Sequence, residues 1–410
     1  MRPALLSERW RFVLAFSSEA AALLLVVAAY RARWSSLESL VAAVDHCELF
    51  FCDFIRHFYP AGRAVLSSAG PSGGFYYPPF AALLFAALSA LPLASAGLAW
   101  LVLQLAAVAV LLVVPARLLL GPRPGWAVRF GSAWVLAASL PVIHCLKWGQ
   151  VSLVLTALAI AALWQLEAGR KTLAAGLLAA AISIKLYPAV VLFYPLVRKD
   201  WRFLGLCAGF TAALSVLLPA AVMGPGEAWG FFVAVQASAE QALGTWVRQD
   251  VNSQYLGHVL GRWLGDGALG ASWIWLALGV AIAAANLGLL GKALVAKVDN
   301  PVLWVWTLCL GSLPFVLKTS WPHYFVFLPA IQAGLFVAAR QAQRVRAPAM
   351  ALLALSVVGS SAATLLVVGR WEAVSGWGLL FLANLAALVA TWLVLADRLL
   401  ELRPALAQKK

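Results

Sequence analysis

Apolar runs broken by charged or Pro/Gly punctuation recur at about 12–31, 95–115, 127–144, 150–166, 172–184, 186–197, 203–222, 269–290, 301–317, 323–339, 348–368 and 377–397. Crossing a bilayer takes roughly 20 apolar helical residues. The pattern therefore predicts an all-α, polytopic integral membrane protein with about 12 transmembrane helices. Runs 172–184 and 186–197 are short for a straight crossing, and are expected inside the bundle or extended by adjacent polar sequence. The first run, Phe12 to Tyr30, is expected to be retained as a span. Residues 77–92 (YYPPFAALLFAALSAL) are also apolar, but their leading Pro78-Pro79 suits a re-entrant or half-inserted helix. No repeat or low-complexity linker interrupts the chain, so 1–410 is expected to form a single domain.

Two polar segments are long, 32–76 and 223–268, and both are expected outside the cytoplasm. In the first, Leu40, Val44, Cys47, Phe51, Phe54 and Phe58 recur at near-helical spacing. That predicts an amphipathic helix lying in the membrane interface.

Composition agrees with this class: 63% of the 410 residues are hydrophobic and 11% charged, with a mean hydropathy of +0.90. The net charge of +14 is explained by its distribution. With both termini cytoplasmic, the cytoplasmic segments hold 20 Lys/Arg and 6 Asp/Glu, and the outer segments 10 of each. The whole excess is then the positive-inside bias, which argues against nucleic acid as a partner. This accounting requires that 77–92 not cross fully. All five histidines fall on the outer side. The five cysteines show no CxxC and no zinc-like Cys/His spacing. Cys47 and Cys52 share the first outer segment, but spacing alone leaves their pairing open.

Asp53, between Cys52 and Phe54 at the head of an aromatic-rich stretch, is the leading candidate for a general base. The plain alternative is a solvated surface acid. Glu19, inside the first span, is a second unusual carboxylate. Trp34, Trp229, Trp246, Trp321 and Trp371 sit at expected interfaces and read first as belt residues.

The ordered series DFxxxFYxAGRAVL from Asp53, YYPPFAALLF, KWGQVSLVLT, AGLLAAAISIKLYP, RKDWR, VNSQYL and PHYFVFL resembles glycosyltransferase family 87. The resemblance implies a C-type glycosyltransferase fold in the plasma membrane, with its active site on the non-cytoplasmic face. It implies transfer of a mannosyl-like or arabinofuranosyl-like unit from a polyprenyl-phosphate donor to an envelope glycan or glycolipid. Asp53 matches the family's catalytic base, and Asp45, eight residues earlier, is the reserve. A phosphate leaving group needs no general acid, so one base suffices and in-line attack would invert the sugar carbon.

The departing phosphate then needs fixed cationic or hydrogen-bonding groups. Lys185, Tyr187, His323 and Tyr324 occupy outer helix ends and are first candidates; Arg63, Tyr77, Lys147 and Gln150 follow. Lys185 and Lys147 have a plain alternative in snorkelling, His323 in capping, and Gln150 in pairing with backbone. Lys147 is expected in an open connection. Asp250, Asn252 and Gln254, in RQDVNSQ with Arg248, are candidates for acceptor binding. No divalent metal or other cofactor is expected. A transporter or flippase of lipid-linked sugars is the main competing class, and a non-catalytic assembly subunit the third. A transporter should show paired halves and mid-membrane charges, for which only Glu19 qualifies.

Overall fold

The computed structural model describes residues 49–67, 69–71, 73–120, 125–247, 249–265, 272–368 and 371–407, with Ser17, Ala21, Leu24, Leu25, Ala28 and Cys47. Asp45, Glu19, Trp34 and Arg248 lie outside these residues, as does most of run 12–31. Secondary structure among the described residues is helical, apart from one isolated bridge.

A π turn, Phe54–Phe58, leads into α1, Tyr59–Leu66. Then come α2, Pro79–Ser89, and α3, Leu93–Leu118. After these lie α4, Leu140–Trp148; α5, Ser152–Glu167; and α6, Lys171–Ile184. Further along are α7, Trp201–Ala212; α8, Pro225–Gly244; and α9, Leu256–Leu264. The chain continues through α10, Ser272–Val295; α11, Leu328–Gln341; α12, Arg346–Gly359; and α13, Leu379–Ala407.

Among the described residues, five helical stretches are long and apolar enough to cross a membrane: Leu93–Leu118, Trp201–Met223, Trp273–Val295, Pro322–Gln341 and Leu379–Leu402. Several other runs are divided by breaks. Run 186–197 becomes a 3-10 turn, Tyr187–Leu192, with Pro188 in its first turn, followed by Phe193–Val197, which contains Pro195. Run 127–144 breaks at Ser139 and run 348–368 at Ser360–Ser361. These two breaks lie together: Leu140 N–H donates to Ser360 O and Ala362 N–H to Ala138 O, both at 2.8 Å. Backbone groups freed by one interruption are satisfied by the other, as an apolar surround requires.

The long helices differ in what they face. The apolar window of Pro322–Gln341 is 83% buried, whereas that of Trp201–Met223 is 11% buried. The former is central and the latter peripheral. Exposed side chains such as Leu98, Val216, Leu217 and Val358 present an apolar outer surface, which lipid rather than water solvates favourably.

The expected interfacial helix is corrected. Phe51 has φ 62°, so a tight turn precedes the helix rather than one continuous amphipathic rod. Leu40 and Val44 lie outside the described residues. Phe51, Phe54 and Phe58 are buried in protein instead of lying on lipid. Phe54 stacks on Trp100 at 6.0 Å and Phe58 on Phe85 at 4.8 Å. Packing against rings of α2 and α3 adds specific aromatic contact to burial, which lipid does not. Helix α1 approaches α2 closely at Gly62, where a Cβ would lie 2.5 Å from the Phe85 backbone. The 11 residues of α2 span about 16 Å, roughly half the hydrocarbon thickness.

Candidate active site

Cys47 and Cys52 are joined by a disulfide, settling what spacing left open. Phe51 N–H donates to Lys147 O at 2.6 Å, fixing this cystine turn to the C-terminus of α4. Gly149 ends α4 in the left-handed region (φ 67°), and a Cβ there would press on Phe54 and Phe51. Trp100 Nε1 donates to Gly149 O at 2.8 Å. The cystine turn that leads into Asp53 is thus held against the end of α4, and α4 in turn against α3.

Asp53 points into a cavity of about 520 Å³. Its carboxylate accepts a hydrogen bond from Gln150 Nε2. Gln150 Oε1 accepts from the Tyr77 hydroxyl at 3.0 Å, and Tyr77 Oη accepts from Lys185 Nζ at 3.3 Å. Donation therefore runs in one direction from cation to anion, through an amide and a phenol. The Lys185 ammonium lies 4.7 Å from the Tyr77 ring centre and 4.2 Å from that of Tyr324. Burial lowers its pKa to about 7, although Asp53 pulls the other way. Burial also raises the Tyr77 phenol well above its ordinary value, keeping it a neutral donor.

His57, one helical turn beyond Asp53, has Nε2 3.9 Å from Asp53 Oδ1. Its Nδ1 is 3.0 Å from Gly73 O. A carbonyl only accepts, so Nδ1 carries the proton and Nε2 is turned toward Asp53. Gly74 (φ 82°) permits this, since a Cβ there would sit 2.3 Å from the imidazole. On another wall, His323 is 4% exposed, and neither ring nitrogen has a hydrogen-bond partner among the described residues. It stacks with His144 at 5.8 Å, which in turn stacks on Trp371 at 5.0 Å.

Of the residues expected from sequence, Asp53, Tyr77, Gln150, Lys185, Asp250, Asn252, His323 and Tyr324 line this cavity. Arg63 does not; it is exposed on α1. Lys147 is buried in α4, with Nζ 5.6 Å from the Trp148 ring centre, rather than in an open connection. Tyr187 stacks behind Tyr324 at 5.3 Å without reaching the cavity. Gln254 is fully buried, donating to Ser375 O at 3.0 Å and accepting from Phe381 N–H at 3.3 Å. It is a structural clamp, not an acceptor ligand. Asn252 Oδ1 accepts from Trp371 Nε1 at 2.6 Å and Ser375 Oγ at 3.2 Å. Trp371 is accordingly a core residue, not a belt residue. Gln150 bonds both Asp53 and Tyr77, a geometry that positions the carboxylate.

Sequence reasoning passed over Arg56, His57, Tyr76, His144, Trp148, Trp246 and Trp321 as lining residues. Arg56 and His57 carried a signal, because i+3 and i+4 from Asp53 share its helical face. The indoles carried none, since tryptophan at an interface is common.

Residues 75–320 match glycosyltransferase family 87. Asp53 precedes that segment, Tyr77, Gln150, Lys185 and Asp250 lie within it, and His323 follows it. One relative is the polyprenol-phosphate-mannose-dependent alpha-(1-2)-phosphatidylinositol mannoside mannosyltransferase of Mycolicibacterium smegmatis. It is 29% identical over 345 residues, which cover 78% of this chain and 75% of the relative. The protein of the same name from Mycobacterium tuberculosis is 28% identical over 294 residues, covering 67% of this chain and 65% of the relative.

Proposed function

Because this chain belongs to glycosyltransferase family 87, and is a membrane glycosyltransferase, we propose that it transfers a mannosyl-like hexosyl or arabinofuranosyl-like pentosyl unit with inversion. The donor is a polyprenyl-phosphate sugar, and the acceptor an envelope glycan or glycolipid at the non-cytoplasmic face of the plasma membrane. The names of both relatives favour mannose. The observation that carries this reading is the joining of Lys185 to Asp53 through Tyr77 and Gln150 inside one cavity. A base and a cation are thereby held apart at fixed separation.

Asp53 accepts the proton of the acceptor hydroxyl as that oxygen bonds to the sugar's anomeric carbon. The bond from that carbon to the phosphate oxygen breaks, and its electron pair leaves with polyprenyl phosphate. Lys185 faces the charge that develops on the phosphate. A phosphate oxygen also satisfies a ring nitrogen of His323, which otherwise lacks a partner among the described residues. Gln150 orients the carboxylate, and Tyr77 orients both Gln150 and Lys185. No step is routed through a metal ion. Asp45 is not needed in this scheme.

Charge placement supports the sidedness. Lys185 stands at the cavity end of α6, while Lys171 and neighbouring Arg170, Arg198, Lys199 and Arg202 gather toward its other end. The twelve-span topology, with 77–92 half-inserted, belongs to this proposal.

The decisive experiment is sugar transfer from polyprenyl-phosphate mannose and polyprenyl-phosphate arabinose in proteoliposomes. Asp53→Asn is expected to lower turnover by about 10²- to 10⁴-fold while the protein remains folded. Undiminished transfer by that variant would remove Asp53 from the mechanism.

A further inference from the structure

The cavity has a second wall of different chemistry. Trp246, just beyond α8, is 46% exposed and stacks on Trp321, with ring centroids 6.1 Å apart and planes at 17°. Trp321 Nε1 donates to Asp250 Oδ2 at 2.9 Å. Asp250 Oδ1 accepts from Asn252 N–H at 2.9 Å, so the carboxylate is held at a fixed angle beside the indoles. Tyr76 neighbours Trp246 and feels the charge of Asp53, which links this wall to the reacting carboxylate. All four side chains line the cavity.

An indole this exposed, inside a cavity that also holds charged groups, is more than a membrane anchor. Its flat face offers dispersion contact to the C–H face of a sugar ring. A carboxylate beside it accepts hydrogen bonds from ring hydroxyls. Arg56 and Lys185 line other parts of the cavity and draw an anionic group there, so the part of a ligand lying against Trp246 and Asp250 is the uncharged one. The cationic wall of Lys185 suits the phosphate, and the Trp246 wall suits a saccharide.

We propose that Trp246, Trp321 and Asp250 form the subsite for the acceptor sugar that carries the attacking hydroxyl, an uncharged glycosyl ring lying flat on the Trp246 indole. The inference rests on the reading of Asp53 as the base, because the ring must present its hydroxyl to that residue.

The test measures binding rather than turnover. Saturation-transfer NMR is recorded on the full chain in lipid nanodiscs with methyl α-mannopyranoside, α-linked mannobiose and methyl α-arabinofuranoside. Geranylgeranyl phosphate serves as the isoprenoid probe. At least one saccharide is expected to bind the unaltered protein. Trp246→Ala should weaken it by about tenfold or more, and Trp246→Phe by no more than about threefold. Geranylgeranyl phosphate should bind all three proteins alike. Absence of saccharide binding to the unaltered protein, or equal binding by Trp246→Ala, overturns the proposal. So does a loss confined to geranylgeranyl phosphate, which would make this wall a seat for the isoprenoid. Asp53→Asn should keep its saccharide binding, so failure of the base would show in turnover alone and failure of the subsite in binding alone.

Discussion

Lys171 and Lys185 bracket helix α6, about 20 Å apart along its axis, in opposite kinds of surroundings. Lys171 is 38% exposed and pairs with Asp200 at 2.8 Å. Asp200 in turn caps α7 by accepting from Phe203 N–H at 3.2 Å. Nearby, Arg198 bonds Glu167 at 2.6 Å, also near the surface. At the other end, Lys185 is partly buried between two tyrosine faces and reaches its carboxylate only through two intervening side chains. The first end uses charge as a solvated orienting device. The second keeps charge in low dielectric, where it interacts strongly with whatever anion enters.

The largest effect short of losing the base is expected at Lys185. Lys185→Ala should reduce donor turnover by about 10²- to 10³-fold, the usual consequence of losing one preorganised transition-state donor. The pH response sharpens the contrast. Donor binding needs the ammonium, so above pH 7 the donor KM should rise by about tenfold per pH unit. Lys185→Arg, charged throughout, should flatten that rise. Stability should move the other way. Between about pH 7 and the ordinary lysine value of 10.5, the unfolded chain holds a proton that the folded chain has shed, so this group's contribution rises with pH. A donor KM independent of pH from 6 to 9 would show that the two ends do not differ in this respect.

A smaller effect is expected at Gln150, whose amide bonds the carboxylate directly. Gln150→Ala should lower kcat by about 10- to 100-fold, in keeping with loss of one hydrogen bond to a charged group. Donor KM should change little, because the amide orients the base and does not hold the phosphate. A change confined to donor KM would return Gln150 to phosphate binding.

The smallest effect belongs to the exposed end. Asp200→Ala removes a surface pair and a helix cap, together worth about 1–2 kcal/mol of stability, and should leave transfer unchanged. The Lys171 hydrogen bond holds the Asp200 carboxyl below its ordinary value. Its contribution is therefore present above the unfolded value and lost only as pH falls through the lower folded one. Thermal unfolding at pH 7 and pH 3 checks this, and a shift larger at pH 3 would contradict it.

Legibility in the sequence varied with how local the cause was. The apolar runs, Asp53 at the head of its aromatic-rich stretch, and Lys185 at a helix end all follow from neighbouring residues. Gln150 and Tyr77 were visible as candidates but their bonding was not, because their partners lie 97 and 108 residues away. Lys147 was expected in an open connection and Gln254 at an acceptor, yet both are buried, Gln254 through partners more than a hundred residues away. Trp371 and Trp246 illustrate the same limit from opposite sides. Both read as interfacial indoles, but one is core and the other faces the cavity.

What the sequence determined alone is the class, a helical membrane protein, together with the expectation of a one-sided charge bias. Those properties depend on hydropathy and charge counts, which are summed along the chain and need no contacts. Tertiary structure alone decided how Asp53 is addressed, which cations share its cavity, and how the breaks at Ser139 and Ser360 satisfy one another. Each of these depends on hydrogen bonds and burial between segments distant in sequence, and such contacts exist only once the helices have packed.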